Sequence, residues 1–111
     1  MKGTSIGELE ELVLLSVGVL YNQQAYAVNI HKELTEQTGR IIDVTAIHSV
    51  LRRLEKKGLV NSEMGGATAE RGGRRKRFFT LTQAGRAILD EAMIVRSNMY
   101  NRLPKLTFAG I

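Results

Sequence analysis

The spacing of apolar residues changes character several times along the chain, and each change predicts an element. Between Glu8 and Tyr21, the residues Leu9, Leu12, Val13, Leu15, Val17, Val19 and Leu20 leave few polar positions on any side. That density predicts a helix buried on more than one face. Asn22 to Gln24 is a polar break. From Tyr26 to Thr38, Tyr26, Ile30 and Leu34 recur at i, i+4 and i+8 with Ala27 beside them, predicting an amphipathic second helix closed by Gly39. In "IIDVTAIHSVLRRLEKKGLV", Ile47, Val50, Leu51 and Leu54 form a stripe at helical spacing. Asp43 is placed to cap this third helix, Lys56 and Lys57 suit the negative end of its dipole, and Gly58 stops it.

After Gly58 the period shortens to that of a strand. "LVNSEM" predicts one short strand and "RKRFFTL" a second, with Phe79 and Leu81 on one face. The intervening "GGATAERGG" is rich in glycine and polar residues, so a β-hairpin with a long, mobile tip is expected. Thr82 caps a fourth helix that runs to about Arg102 and is limited by Pro104. The fold class is therefore mainly α with a small β-hairpin. Three helices followed by a hairpin is the order of a winged helix-turn-helix, in which the third helix enters a major groove and the hairpin, or wing, lies along the backbone. The expected organisation is a DNA-binding winged helix over residues 1–81, a C-terminal dimerisation helix over 82–103 in the same compact unit, and a tail over 104–111.

Composition fits this picture. A chain of 111 residues with 43% hydrophobic and 24% charged residues suits one globular domain. There is no cysteine, which excludes a disulfide framework and thiolate chemistry. The longest apolar stretch, around Leu12 to Leu20, is too short to span a bilayer, and "MKGTSIGELEEL" turns acidic before it turns apolar, unlike a secretory signal. A cytoplasmic location is expected. The net charge of +5 is unevenly placed: residues 43–86 carry ten basic and four acidic residues, whereas residues 1–42 carry three and five. A basic stripe on a mixed background points to a polyanionic partner, nucleic acid first.

Two places carry chemistry suited to that partner. On the third helix, Thr45, His48, Ser49, Arg52 and Lys56 share the face opposite the apolar stripe. Arginine reads guanine bidentately, and short hydroxyls bond bases or phosphates. In the wing, "ERGGRRKRF" places Arg71 at the tip and runs Arg74, Arg75, Lys76 and Arg77 into the second strand. Alternation sends Arg75 and Arg77 to one side and Arg74 and Lys76 to the other. Such a run also suits a localisation tag, but it leads directly into "FFTL", which reads as packed strand. The fourth helix has two adjacent apolar stripes, Ile88, Ala92, Val95 and Met99, and Leu89, Met93, Tyr100 and Leu103. A winged-helix body covers only part of so long a helix, and the remainder suits a two-fold copy of the chain. The alternative is that both stripes pack on the first helix of the same chain.

Catalysis has little to stand on. His31 and His48 fall on different helices, and no HExxH, GxSxG or GKS/GKT pattern is present. His31 suits a partly exposed helix position better than a metal site, and no metal or cofactor is expected.

The pieces "GELEELVLLSVGVL", "AYAVNIHKEL", "TGRIIDVTAIHSVLRRLEKKGLV" and "RGGRRKRFFTLTQAGRAIL" together resemble the PadR family of bacterial transcriptional regulators. The resemblance implies a homodimeric repressor of the short type, binding an inverted-repeat operator near its own or a neighbouring gene. In short members the space between the paired C-terminal helices can hold hydrophobic ligands. A hydrophobic small-molecule effector is thus implied as a partner, although this chain has no tryptophan to stack against one. Thr45 and His48 stand where the family often has Gly and Tyr, and Ala27 where it commonly has Gly, so the operator is expected to differ. Two further readings stay open: a winged helix that binds RNA or DNA without sequence preference, and an adaptor that binds protein. The short polar side chains of Thr45, His48 and Ser49 favour sequence reading over the first, and the basic middle segment disfavours the second.

Overall fold

The computed structural model describes residues 6–22, 24–65 and 76–105. Its elements follow the order α1 (Glu8–Val19), α2 (Ala27–Thr38), α3 (Val44–Lys56), β1 (Val60–Met64), β2 (Arg77–Leu81) and α4 (Gln83–Asn101). Four helices and a two-stranded antiparallel hairpin make a mainly helical winged-helix architecture. Arg71, Arg74 and Arg75, with most of the expected tip, lie outside the described residues.

One core joins the elements. Val13, Leu14 and Val17 of α1 meet Ile30 and Leu34 of α2 and the α3 stripe, and Leu59, Val60 and Phe79 close it from the wing side. Ile47, Val50, Leu51 and Leu54 are all at most 1% exposed, as their spacing requires. The helix ends match their local signals: the Asp43 carboxylate accepts from the Thr45 amide, and Gly39 and Gly58 take positive φ at the ends of α2 and α3. One feature of α1 differs from expectation. Val19 is exposed, because the helix ends there and the chain turns at Asn22. Glu10 and Glu11 are buried, although acids in a first turn ordinarily face water.

The hairpin pairs Val60 with Leu81 through to Met64 with Arg77. On the other edge of β2 the Phe79 amide donates to the Ala25 carbonyl at 2.9 Å, tying the wing to the start of α2. The root of α4 is a backbone seat. Thr82 Oγ1 accepts from the Gly85 amide and donates to the Gly58 carbonyl, and the Thr82 amide donates to the Leu59 carbonyl. A Cβ on Gly85 would lie 2.2 Å from the Leu59 carbonyl oxygen, so any larger residue would lever the helix away. This close approach buries Leu89 in the chain's own core and packs Ile88 against it. Leu89, expected on an outward dimer stripe, therefore faces its own chain, and Ile88 largely does so.

Beyond Ala92 the helix leaves the body, and Ile94, Val95, Met99, Tyr100 and Leu103 are exposed. The radius of gyration is 17.0 Å. A compact domain of this length would have about 13 Å.

Candidate nucleic-acid interface

The stripe that buries α3 leaves its opposite face outward. Thr45, His48, Arg52 and Lys56 are exposed along it, and Ser49 is half-buried between them. The other cations at this end of the helix turn to the body: Arg53 Nε and, from the residue capping α3, Lys57 Nζ approach the Glu10 carboxylate at 3.3 and 3.0 Å. Among the described residues no ion pair engages Arg52 or Lys56, so both are available to a ligand.

The wing strand flanks this face. Lys76, Arg77 and Phe79 line an open groove of about 770 Å³ together with Tyr26, Ala27 and Val28 from the start of α2 and His48, Leu51, Arg52 and Glu55 from α3. Lys76 Nζ lies 4.2 Å from the centre of the Tyr26 ring, a cation–π contact, and Tyr26 meets Phe78 edge-on. Arg77 Nη1 donates to Ser62 Oγ at 2.9 Å, and Ser62 Oγ donates to Glu55 Oε2 at 2.7 Å. This relay joins the wing to α3 and gives the Arg77 guanidinium a defined direction beside the groove. Among the described residues Glu55 is the one carboxylate lining it.

Two cations of the wing, Lys76 and Arg77, and three polar residues of α3, His48, Arg52 and Glu55, thus converge on one groove beside the N-terminus of α2, whereas Thr45, Ser49 and Lys56 lie on the same outward face without lining it. A match over residues 15–91 to the family described as transcriptional regulator PadR-like covers this whole arrangement. The chain belongs to the PadR-like family of transcriptional regulators. That is a family of regulators, not of enzymes.

Solved PadR structures share the fold. A PadR family transcriptional regulator from Eggerthella lenta is 26% identical, with a TM-score of 0.64 over 85% of this chain and 80% of that one. A PadR family regulator from Clostridium difficile is 20% identical, with a TM-score of 0.63 over 88% of this chain and 100% of that one. Bacillus subtilis PadR, solved in complex with operator DNA, is 16% identical, with a TM-score of 0.65 over 96% of this chain and 54% of that one. This chain therefore spans about half of that protein. No curated protein matches the sequence.

Within this PadR-like fold several roles were hidden from sequence. Tyr26 marks the amphipathic face of α2, yet it also braces Lys76. Glu55 and Ser62 look like ordinary polar surface but orient Arg77. An alternation in "VNSEM" facing "RFFTL" hints at a cross-strand Ser62 contact, but nothing local points to Glu55. His31, read as a plain helix residue, has Nε2 2.6 Å from the Ile42 carbonyl; with the proton on Nε2 it donates and fastens α2 to the turn before α3. No group of three or more potential metal ligands occurs among the described residues. No described helix is long and apolar enough to cross a membrane.

Proposed function

We propose that the chain binds double-stranded DNA as a homodimer and represses transcription from an inverted-repeat operator. Thr45, His48, Ser49 and Arg52 of α3 read base edges in a major groove. Lys56, Lys76 and Arg77 grip flanking phosphates, joined by Arg71, Arg74 and Arg75 of the wing tip. Two copies meet through Ala92, Met93, Val95, Met99, Tyr100 and Leu103, with Ile94 added by its exposure and Ile88 and Leu89 bracing the interface from beneath. The observation that carries this reading is the convergence of His48 and Arg52 of the outward face of α3 with the wing cations Lys76 and Arg77 on one groove. Family membership supports it, as does the similarity in fold to a PadR solved with operator DNA.

Half-sites then lie about one helical turn (~10 bp) apart, or a multiple of that. The test is selection of duplexes from a genomic library, followed by titration of a selected duplex and a random one across salt concentrations. A selected duplex held more tightly than the random one at every salt concentration is expected. Equal affinity would leave only sequence-blind polyanion binding, which the weakly charged face of Thr45, His48 and Ser49 disfavours.

A further inference from the structure

Glu10 and Glu11 are adjacent in the first turn of α1, and each holds a different element. The Glu10 side chain, 10% exposed, accepts from the Gly7 amide and pairs with Arg53 and Lys57 at the C-terminal end of α3. The Glu11 side chain, 8% exposed, pairs with Arg96 of α4. Enclosing a carboxylate costs desolvation that a charged partner offsets, and each of the two has one. Neighbouring residues on a helix share a stiff backbone, so one short turn of α1 links α3 to α4.

Along α4 the contacts thin out with distance from its root. Gly85 and Leu89 are seated on the body, and Ala92 is half-buried. Arg96, roughly 16 Å beyond Gly85 along the axis, makes the outermost ion pair to the body among the described residues. It bridges a groove lined by Ile6, Ile88 and Val95, with Glu91 on its rim. A rod held only at its root can pivot; a second hold further out fixes its direction.

We infer that Arg96 is a positioning residue: through Glu11 it sets the angle at which α4 leaves the body, and thereby the spacing between the two DNA half-sites. The inference rests on the dimeric, DNA-binding reading above. When two α4 helices pair about a two-fold axis, their angle to the body sets the separation of the two α3 helices. A tilt of ~10° over the ~28 Å of α4 moves its far end by about 5 Å. One base pair advances the duplex by only ~3.4 Å. Loss of the outer hold is therefore felt as loosened spacing, not as weaker contact with any one base.

The experiment uses the full chain and the tightest duplex selected from a random library, with derivatives lengthened or shortened by one or two base pairs at its centre. Wild type, Arg96→Lys, Arg96→Met and Glu11→Gln are compared by fluorescence anisotropy, with sedimentation for mass and thermal melting for folding. Wild type and Arg96→Lys are expected to share one sharp spacing optimum. Arg96→Met and Glu11→Gln are expected to remain dimers while their discrimination between spacings falls at least about fivefold. A side chain that served stability alone would lower the melting temperature and leave the spacing profile intact; that result for Arg96→Met overturns the inference. So does a loss in Arg96→Lys equal to that in Arg96→Met. A wild type that is monomeric, or that selects no duplex, overturns the dimeric regulator reading and this inference with it.

Discussion

Helices α3 and α4 are both amphipathic, yet they leave opposite faces uncovered. α3 buries all four of its apolar stripe residues and presents hydroxyls, an imidazole and cations. α4 buries only the apolar residues near its root and leaves Ile94, Val95, Met99 and Tyr100 in solvent. One uncovered face is matched to a polyanion and the other to apolar surface. The contrast teaches that a helix in a domain this small need not be finished by its own chain: what it leaves exposed describes what completes it.

The most severe way to break this comparison is to make the exposed face of α4 resemble that of α3. Val95→Glu with Met99→Glu places two carboxylates on surface that is 53% and 66% exposed, so each chain still folds. Sedimentation should then report monomers. Operator affinity should fall by about 100-fold or more, because the second half-site loses its tethered partner. A surviving dimer would place the interface elsewhere.

Next in size are changes to the reading face. Arg52→Ala should cost about 1–3 kcal/mol at one base position, with His48→Ala smaller, both seen as altered preference in a competition of single-base operator variants. A uniform loss across all sequences would assign these residues to phosphate instead.

Glu10→Gln tests the support beneath that face. Burial pushes the Glu10 carboxyl up, but the Gly7 amide and the side chains of Lys57 and Arg53 outweigh it and hold the group below its ordinary value of 4.5. A carboxyl lowered by folding stabilises the fold above its unfolded pKa, and that contribution is lost as pH falls through the lower folded value. Glu10→Gln should therefore cost about 1–2 kcal/mol at neutral pH, moderated by the partial exposure of Arg53 and Lys57. The gap to wild type in denaturant melts should close below pH 4.5.

The smallest expected effect is on the wing. Arg77→Ala should weaken binding to all duplexes alike and flatten the dependence of log affinity on log salt by about 0.9. An unchanged slope would mean that Arg77 serves only its contact with Ser62.

What sequence disclosed follows from how local each feature is. The α3 stripe, the Asp43 and Thr82 caps and the glycine ends at 39 and 58 depend on residues within a turn of one another, and each was legible. The ion pairs of Glu10 and Glu11 join residues 43 to 85 positions apart, so nothing in the local pattern marks them. Periodicity also failed to tell which stripe of α4 met its own body. Spacing alone groups Ile88 and Leu89 with the outward residues, although Gly85, one turn before Leu89, is the mark of close backbone approach. In the candidate site, the outward face of α3 was legible because its buried face was. The Glu55–Ser62–Arg77 relay was not, since it depends on how the hairpin folds back onto α3.

The seat at Gly85 makes α4 an exchangeable part. Its root is held by the backbone seat of Thr82 and Gly85 with Leu89 and Ile88 against the core, and among the described residues only Arg96 makes an ion pair from the outer half to the body. Side chains beyond that point can be rewritten without repacking the core. A designer could therefore graft a foreign pairing sequence onto the outer turns and change which chains associate while keeping the same reading head.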